Sequence, residues 1–255
     1  MRLVIKVGTS TLTHSSGRLN IRRVEQLCKV ISDLKNADNE VVLVSSGAIG
    51  MGVSKLNLGA RPSDMPTKQA AAAVGQCELM YTYDKLFSVY NHTVAQVLVT
   101  GDDIENNDRR NHFKNTVFRL LELGAIPVIN ENDTVSTAEI AVGDNDTLAA
   151  IVAVNVKADL LILLSDIDGL YTADPKKDSG AKLIPFVENL DDKIYSIAGG
   201  AGSALGTGGM STKIKAAQIC TDGGIDMIIA NGANPEKLYE AVAGESIGTF
   251  FKGKK

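Results

Sequence analysis

The sequence predicts an α/β fold built around a buried and mainly parallel sheet. Its candidate strands are short runs of β-branched residues and leucine that are apolar on both faces, which is typical of strands covered by helices on both sides. Longer segments with a helical spacing of apolar residues separate these runs. Strands that alternate with helices in this way pair in parallel, because each helix carries the chain back across the sheet. The predicted strands cover residues 3–7, 41–45, 94–99, 126–129, 160–164 and 227–230.

Three helices are placed by their capping residues. Asn20 is the predicted N-cap of an apolar stripe over residues 21–34 with i, i+3, i+4 spacing. Pro66 is suited to the first turn of a second, long helix. A third helix is predicted to end before Gly124, because glycine is typical just after a helix C-terminus. Residues 167–209 depart from the alternating pattern, and we expect an elaborated loop region around a site there.

Composition and charge exclude several classes of protein. The chain has 255 residues, of which 44% are hydrophobic and 22% charged, as expected for a soluble globular domain. A formal net charge of -4 argues against nucleic acid as a partner. The longest apolar stretch, residues 148–164, is interrupted by charged side chains, so no membrane span is expected. Cys28, Cys77 and Cys220 show neither a disulfide nor a zinc-binding pattern, and a reducing cytoplasm is expected.

Two predicted strand ends carry residues suited to binding an anion. The first strand reads Val-Ile-Lys-Val and is followed by Gly8, Thr9 and Ser10. A lysine in a buried strand is costly unless it meets a fixed anion or reaches a cleft, and amides beside glycine suit a phosphate. The second strand ends in a small-residue turn, residues 45–52, which leads into a helix N-terminus. The alternatives are a solvated Lys6 at the sheet edge and glycines that serve only tight packing.

Polar residues are concentrated after the fourth predicted strand and before the next helix. Residues 130–133 read Asn-Glu-Asn-Asp, and residues 143–147 read Gly-Asp-Asn-Asp-Thr. Capping alone would explain a single Asp or Asn at the helix start. So many carboxamides and carboxylates in two successive loops favour binding of a ligand or Mg²⁺.

A glycine-rich helix start lies further along the chain. Residues 206–209 read Gly-Thr-Gly-Gly and are followed by Met210, two hydroxyl residues and Lys213. This combination is typical of a cradle for nucleotide phosphates. It is not a P-loop, because no Gly-Lys-Ser/Thr follows at the required spacing. Residues 248–255 come closer to that pattern, but they end in lysine instead of Ser or Thr, and we discard the match.

Six motifs follow one another along the chain. They are Ile-Lys-Val-Gly-Thr-Ser at 5–10, Ser-Ser-Gly-Ala-Ile at 45–49, Pro-Val-Ile-Asn-Glu-Asn-Asp at 127–133, Val-Gly-Asp-Asn-Asp at 142–146, Gly-Leu-Tyr-Thr-Ala-Asp-Pro at 169–175 and the glycine-rich segment 206–213. In this order and at these intervals they resemble the amino acid kinase family, in the branch that phosphorylates glutamate. Each motif alone is weakly specific for this family, but six of them in order over nearly the whole chain are strongly specific for it. The resemblance implies a three-layer α/β/α sandwich.

The resemblance also implies an activity. The chain is expected to transfer a phosphoryl group from ATP to the γ-carboxylate of L-glutamate, giving L-glutamyl 5-phosphate in the first step of proline biosynthesis. The resemblance further implies Mg²⁺ as cofactor, proline as feedback inhibitor, glutamyl phosphate reductase as a partner, and a cytoplasmic homo-oligomer. Residues 1–255 are expected to form one amino acid kinase domain, whose N-terminal part binds glutamate and whose C-terminal part binds the nucleotide. We expect no PUA domain, a small RNA-binding-type module that many relatives carry.

Individual residues take their expected roles from the same resemblance. Lys6 and Lys213 match the lysines that hold the transferring phosphoryl group, and Asp146 matches the aspartate that orients them. No residue is assigned as a metal ligand. Ser165 stands where many relatives have threonine, a change that keeps the hydroxyl. The glutamate-binding positions are Ser46, Asp133 and Asn145. The nucleotide-binding positions are Lys6, Ser165, Asp166, Thr207, Gly208, Gly209, Met210, Ser211, Thr212 and Lys213.

Two alternative functions stay open at this point. One is a related kinase that phosphorylates N-acetylglutamate, aspartate or uridylate. The motifs at 130–133 and 143–146 favour glutamate over these substrates. The other is a non-catalytic regulator that binds a nucleotide or an amino acid. The presence of Lys6, Asp146 and Lys213 together argues against a regulator, because a silent relative has no need of all three.

Overall fold

One sheet of eight strands organises the part of the chain that the structure describes. The computed structural model describes residues 1–14, 17–136, 144–199 and 209–254. The strands lie in the order β3-β4-β2-β1-β5-β7-β8-β6. Neighbouring strands are parallel except for β7 and β8, so the sheet is mainly parallel as predicted. The strands are β1 (Arg2–Val7), β2 (Glu40–Ser45), β3 (Val94–Val99), β4 (Ile126–Glu131), β5 (Leu160–Ser165), β6 (Phe186–Val187), β7 (Asp226–Asn231) and β8 (Gly248–Phe251).

Helices connect the strands, and their ends follow the capping residues. Asn20 accepts a hydrogen bond from the Arg23 amide at the start of the second helix, and Pro66 lies in the first turn of the fourth. Gly124 follows the sixth helix with a φ of 76°, as predicted. The helices are α1 (Thr9–Leu12), α2 (Ile21–Asn36), α3 (Ala48–Lys55), α4 (Met65–Ser88), α5 (Gly101–Glu105), α6 (Asn107–Glu122), α7 (Asn145–Asn155), α8 (Asp192–Ala198), α9 (Met210–Asp222) and α10 (Lys237–Val242).

The sheet is covered on both faces, which gives the three layers that the resemblance implied. Leu3, Ile5 and Val7 of β1 pack into one apolar cluster with side chains of α2 and α4. Val4, on the opposite face of the same strand, packs into a second cluster with α6, α7 and α9. This alternation follows from the period of two in a β-strand. Lys6 therefore shares the face of Val4 and points toward the α7 and α9 layer.

The observed elements differ from the predicted ones in three places. All six predicted strands are present, but β4 continues through Asn130 and Glu131, which were expected in the loop after it. The predicted loop region 167–209 contains β6 and α8, and its residues 200–208 lie outside the described ranges. Residues 248–251, discarded as a P-loop, form the strand β8. None of the described helices is both long and apolar enough to cross a bilayer.

Candidate active site

The carboxyl ends of the parallel strands meet at one edge of the sheet, and those predicted site residues that the structure describes lie there. In an open parallel sheet this edge is where ligands bind, near the point at which the strand order reverses. Here that point is β1, which pairs with β2 on one side and β5 on the other. The sequence-distant motifs on these strands and on the N-termini of α7 and α9 are thereby brought to one edge.

Two buried lysines share one buried carboxylate at this edge. Lys6 Nζ lies 2.6 Å from Asp146 Oδ1, and Lys213 Nζ lies 3.0 Å from Asp146 Oδ2. The side chains of Lys6, Lys213 and Asp146 are only 10%, 6% and 1% exposed. Lys6 thus meets a fixed anion, and the alternative of a solvated lysine at the sheet edge is wrong. The carboxylate fixes two ammonium groups beside each other, and the three side chains together carry one net positive charge.

Local structure fixes Asp146 in this position. Asp146 lies in the first turn of α7, whose N-cap is Asp144. Asp144 Oδ1 accepts hydrogen bonds from the backbone amides of Asp146 and Thr147 at 2.8 and 2.9 Å. Capping therefore explains Asp144, whereas the side chain of Asp146 is free to turn toward the lysines.

The charges around Asp146 determine its protonation. Burial raises the pKa of Asp146, but the Lys6 and Lys213 ammonium groups and their hydrogen bonds outweigh burial and keep the pKa below its ordinary value. Asp146 is therefore ionised at neutral pH. It acts here as the counter-ion of two lysines and is not available as a proton donor.

The N-terminus of α9 completes the cluster around Asp146. Gly209 is its N-cap and provides no side-chain cap to the first amides of the helix, which are groups suited to binding an anion. The Thr212 hydroxyl lies 3.0 Å from Asp146 Oδ2 and 2.8 Å from the Gly209 carbonyl oxygen, and its proton can be donated to either. Met210 and Ser211 form the first turn with Thr212. Thr207 and Gly208, also predicted to bind the nucleotide, lie outside the described residues.

A cluster of carboxamides lies beside the ion pairs, at the ends of β2 and β4. The Asn145 amide donates to Ser46 Oγ at 2.8 Å, to Asn130 Oδ1 at 3.0 Å and to the Ser45 carbonyl oxygen at 3.2 Å. Gly47 follows Ser46 with a φ of 105°, a conformation that favours glycine, and it turns the chain from β2 into α3. The structure thus brings together two predicted positions, Ser46 and Asn145.

Asp133 lies in the loop after β4 and is chemically distinct from the other carboxylates. No hydrogen bond joins it to Ser46 or Asn145 among the described residues. Burial, followed by the nearby charge of Glu131, raises the pKa of Asp133 to about 6, and Arg61 partly opposes this shift. A partly buried carboxylate with this pKa is suited to a cationic ligand, because a cation would stabilise its charged form.

The two predicted positions on β5 lie on the other side of β1. Ser165 ends β5, and its hydroxyl donates to Asp166 Oδ1 at 3.2 Å. Ser165 is buried, whereas Asp166 is exposed to solvent. Two residues on, Asp168 accepts hydrogen bonds from Asn231 Nδ2 at 2.9 Å and from the Tyr171 hydroxyl at 3.0 Å. These bonds lower the pKa of Asp168, so this side of the sheet edge presents an ionised carboxylate beside hydroxyl groups.

The described carboxylates and histidines do not form a resident metal site. No group of three His, Cys, Asp or Glu side chains within them is arranged to ligate a metal ion. Asp146 is already held between two ammonium groups, so it is a poor ligand for a cation.

Comparison with known proteins agrees with this arrangement. A profile described as "Amino acid kinase family" matches residues 1–231. The chain is 54% identical to the glutamate 5-kinase of Clostridium perfringens, and the alignment covers 100% of this chain and 96% of that protein. The chain belongs to the amino acid kinase family. It is also 53% identical to the glutamate 5-kinase of Caldanaerobacter subterraneus, over 98% of this chain and 68% of that protein. The chain is therefore a kinase, as predicted.

Solved structures confirm the fold of the family. A carbamate kinase from Giardia lamblia bound to AMP-PNP matches with a TM-score of 0.71 at 16% identity, over 99% of this chain and 98% of the other. A UMP kinase from Ureaplasma parvum matches with a TM-score of 0.67 at 14% identity, over 98% of both chains. At such low identity the likeness concerns the fold alone, and it confirms the three-layer sandwich of an amino acid kinase.

Some residues in or near the candidate site were not predicted from the sequence. Asn130 lies in a predicted ligand-binding motif without a predicted role of its own, and the sequence predicts no role for Gln76 of α4, which contacts it. A glutamine between small residues, in Ala-Val-Gly-Gln-Cys, is the only signal that the sequence offers for Gln76. Asp168 and Asn231 were also missed, because their pairing depends on the neighbouring positions of β5 and β7.

Proposed function

We propose that this kinase transfers the γ-phosphoryl group of ATP to the γ-carboxylate of L-glutamate, yielding L-glutamyl 5-phosphate and ADP in the first step of proline biosynthesis. The observation that carries the proposal is the pair of buried lysines, Lys6 and Lys213, fixed on Asp146 at the ligand-binding edge of the sheet. The relatives that are named glutamate 5-kinase support glutamate as the acceptor.

The chemistry of the acceptor matches the residues of the site. A glutamate carboxylate has an ordinary pKa of about 4.3 and is ionised at neutral pH, so the attacking oxygen needs no general base. One carboxylate oxygen forms a bond to the γ-phosphorus as the bond from that phosphorus to the β,γ-bridging oxygen breaks. The catalytic needs are alignment and neutralisation of negative charge, and two fixed ammonium groups with open helix amides supply both.

The proposed contacts to glutamate and the proposed contacts to the nucleotide come from different segments of the chain. Ser46, Asn145 and Asp133 would bind glutamate through hydrogen bonds that involve the serine and asparagine side chains, with the Asp133 carboxylate near the α-ammonium group. These positions follow β2 and β4 or begin α7, on one side of β1. Ser165 ends β5 and Asp166 follows it, on the other side, where the nucleotide would bind. The remaining proposed nucleotide contacts are Lys6, Thr207, Gly208, Gly209, Met210, Ser211, Thr212 and Lys213.

We propose that Mg²⁺ enters this site on the phosphates of ATP, as part of the substrate. Magnesium commonly binds substrate phosphates and water with few protein ligands. The described carboxylates do not form a resident site, and no role in the transfer is assigned here to a protein-bound ion. The residues of this chain act on the nucleotide through its phosphate oxygens.

A coupled assay of ADP release tests the proposed function. The chain is expected to release ADP with L-glutamate far faster than with N-acetylglutamate, aspartate or uridylate. N-acetylation removes the α-ammonium group that Asp133 would bind, and aspartate is shorter by one methylene group. A higher kcat/KM for one of these other acceptors would contradict the assignment of glutamate. Absence of ADP release with all of them would contradict the proposed function.

Replacing Asp133 by alanine is expected to raise the KM for glutamate by about 10- to 100-fold while the KM for ATP changes little. The reason is the loss of a charge-assisted contact to the α-ammonium group, which is typically worth roughly 1.5–3 kcal/mol. Initial rates measured against each substrate in turn give both constants. An equal rise in both KM values would show that Asp133 has a structural role instead.

The raised pKa of Asp133 predicts a pH dependence of glutamate binding. The carboxylate, with a pKa of about 6, loses its charge as the pH falls through that value, while the side chain of glutamate stays ionised. The KM for glutamate is therefore expected to rise about tenfold from pH 7 to pH 5. Asp133→Asn should abolish this rise. The same pH profile in that variant would assign the titration to another group.

Free proline is expected to inhibit by competing with glutamate. Proline shares the α-carboxylate and a cationic α-nitrogen with glutamate, so Asp133 and Asn145 can bind either ligand but not both. Under this model the apparent inhibition constant rises with glutamate concentration and does not depend on ATP. Titrations of proline at several fixed glutamate concentrations measure this. An inhibition constant independent of glutamate would place proline elsewhere.

We also propose that the enzyme works as a homo-oligomer in the cytoplasm, with glutamyl phosphate reductase as its metabolic partner. The product is an acyl phosphate, which hydrolyses readily in water, so a reductase that consumes it directly is chemically favoured. Light scattering coupled to gel filtration tests the oligomeric state. A single species with the mass of one 27.0 kDa chain would contradict it.

A further inference from the structure

Gln76 connects helix α4 to the carboxamides beside the ion pairs. Its side chain is buried, with 6% of the residue exposed, and Gln76 Oε1 accepts a hydrogen bond from Asn130 Nδ2 at 2.9 Å. The preceding residue, Gly75, packs against α3 so closely that a Cβ atom there would lie 1.7 Å from the Ala48 carbonyl oxygen. The position of Gln76 relative to the turn that carries Ser46 is therefore fixed by backbone packing.

The hydrogen bonds of this cluster have only one consistent direction. The Ser45 carbonyl oxygen can only accept, so the atom of Asn145 that contacts it must be the amide nitrogen. That nitrogen also contacts Asn130, which must present its oxygen. The nitrogen of Asn130 then faces Gln76, which must present its oxygen in turn. The end of β2 and the side chain of Gln76 thus fix both asparagine amides from opposite ends.

This arrangement leaves the amide nitrogen of Gln76 without a hydrogen-bond partner among the described residues. Gln76 Nε2 is buried, and it makes no hydrogen bond with any described residue. A buried N–H group without a partner is destabilising, and a hydrocarbon side chain of the same size would avoid the penalty. For packing alone, a hydrocarbon side chain would be more favourable here than an amide. The amide differs in that its oxygen accepts the hydrogen bond from Asn130.

We propose that Gln76 is a positioning residue for amino-acid binding. By holding Asn130, it keeps the nitrogen of Asn145 directed toward the protein, which leaves Asn145 Oδ1 as the acceptor presented to the ligand. An acceptor at this place matches the N–H groups of an α-ammonium ion. This inference rests on the proposed function, because it assigns the ligand of Asn145 as an amino acid. Without Gln76, nothing selects the orientation of the Asn130 amide, and a rotated Asn130 would turn its nitrogen toward Asn145 Nδ2. That donor–donor contact would oppose the hydrogen bond from Asn145 to the Ser45 carbonyl oxygen, so the amide that faces the ammonium group would no longer be fixed.

Two substitutions at position 76 separate positioning from packing. Gln76→Met keeps a similar volume and removes the acceptor, and it is expected to raise the KM for glutamate about tenfold, with kcat and the KM for ATP within about twofold. Its melting temperature should change little, because the substitution removes the unpaired Nε2 of Gln76 but leaves Asn130 Nδ2 without its acceptor. Gln76→Glu retains an acceptor for Asn130 and is expected to restore the KM for glutamate to within about threefold. Gln26→Met on α2 serves as the control for a glutamine-to-methionine change away from the site.

The outcomes are distinguishable. An unchanged KM for glutamate in Gln76→Met overturns the inference, and so does an equal rise in Gln76→Glu. A joint rise of both KM values with a lower melting temperature would show that Gln76 supports the fold as a whole, and this result would also overturn the inference. If the unaltered enzyme does not phosphorylate glutamate, the proposed function fails first, and this inference fails with it. If it does, the two variants test Gln76 alone.

Discussion

Replacing Lys213 by alanine is expected to lower kcat by about 10²- to 10³-fold at saturating ATP and glutamate, while the fold is retained. The Lys213 ammonium group lies at the N-terminus of α9, fixed by Asp146 at 3.0 Å. Loss of one preorganised group that stabilises developing charge typically costs this much in rate. Steady-state kinetics measure the loss, and circular dichroism checks the fold. Lys215→Ala, at an exposed position of the same helix, is the matched control and should leave kcat unchanged.

The size of the expected loss of kcat follows from the electrostatics of the candidate active site. Two unit charges about 4 Å apart interact by roughly 4 kcal/mol at an effective dielectric constant of 20. Each 1.4 kcal/mol that acts only in the transition state changes the rate about tenfold. A lysine at the transferring group can therefore contribute a factor of this order, whereas an exposed lysine is screened by water. Turnover near that of the unaltered enzyme in Lys213→Ala would refute its assignment as a catalytic residue.

The sequence predicted the parallel core of the sheet because its strands are long enough to show a pattern. β1, β2 and β5 are each six residues long and apolar on both faces. β6 has two residues and β8 has four, which is too short for a period to be recognised. Their presence depends on tertiary contacts. The antiparallel pairing of β8 with β7 is likewise set by where the chain returns to the sheet.

The sequence predicted which residues belong to the candidate site better than it predicted the ion pairs and hydrogen bonds between them. Lys6 is the one charged residue in the predicted strand 3–7, and Asp146 lies in a dense polar motif. Lys213 follows Asp146 by 67 residues, and only the strand order brings the two together. The role of Gln76 depends on the direction of each hydrogen bond in a chain of amides. Such directions are a property of the packed site, and composition and spacing carry no signal for them.

Replacing Asp146 by asparagine is expected to be the most damaging change to both stability and activity. It leaves two buried ammonium groups, Lys6 and Lys213, without the carboxylate between them. Removing one member of a buried ionic group typically costs roughly 3–5 kcal/mol, because the remaining charges lose their compensation. For a chain of this size the melting temperature should fall by about 6–20 °C. Asp84→Asn, at an exposed position on α4, is the control and should change it little.

The contribution of Asp146 to stability also has a predicted pH dependence. Its pKa is lower in the folded protein than in the unfolded chain, so the stabilisation is fully present above the unfolded value of about 3.9. It is lost as the pH falls through the lower, folded value. The difference in unfolding free energy between the unaltered protein and Asp146→Asn should therefore be constant near neutrality and shrink in acid. A difference that stays constant below pH 4 would show that the asparagine acts through packing.

ATP provides a further test, because its phosphates are the anions that the two lysines are proposed to bind. In Asp146→Asn the nucleotide would supply negative charge to ammonium groups that otherwise have lost their carboxylate. We therefore expect saturating ATP to raise the melting temperature of this variant by more than it raises that of the unaltered protein. Activity should not recover, since the phosphates bring charge but do not fix the two lysines before the substrate arrives. A smaller ATP-induced shift in the variant, measured by differential scanning fluorimetry, would contradict placement of the phosphates at Lys6 and Lys213.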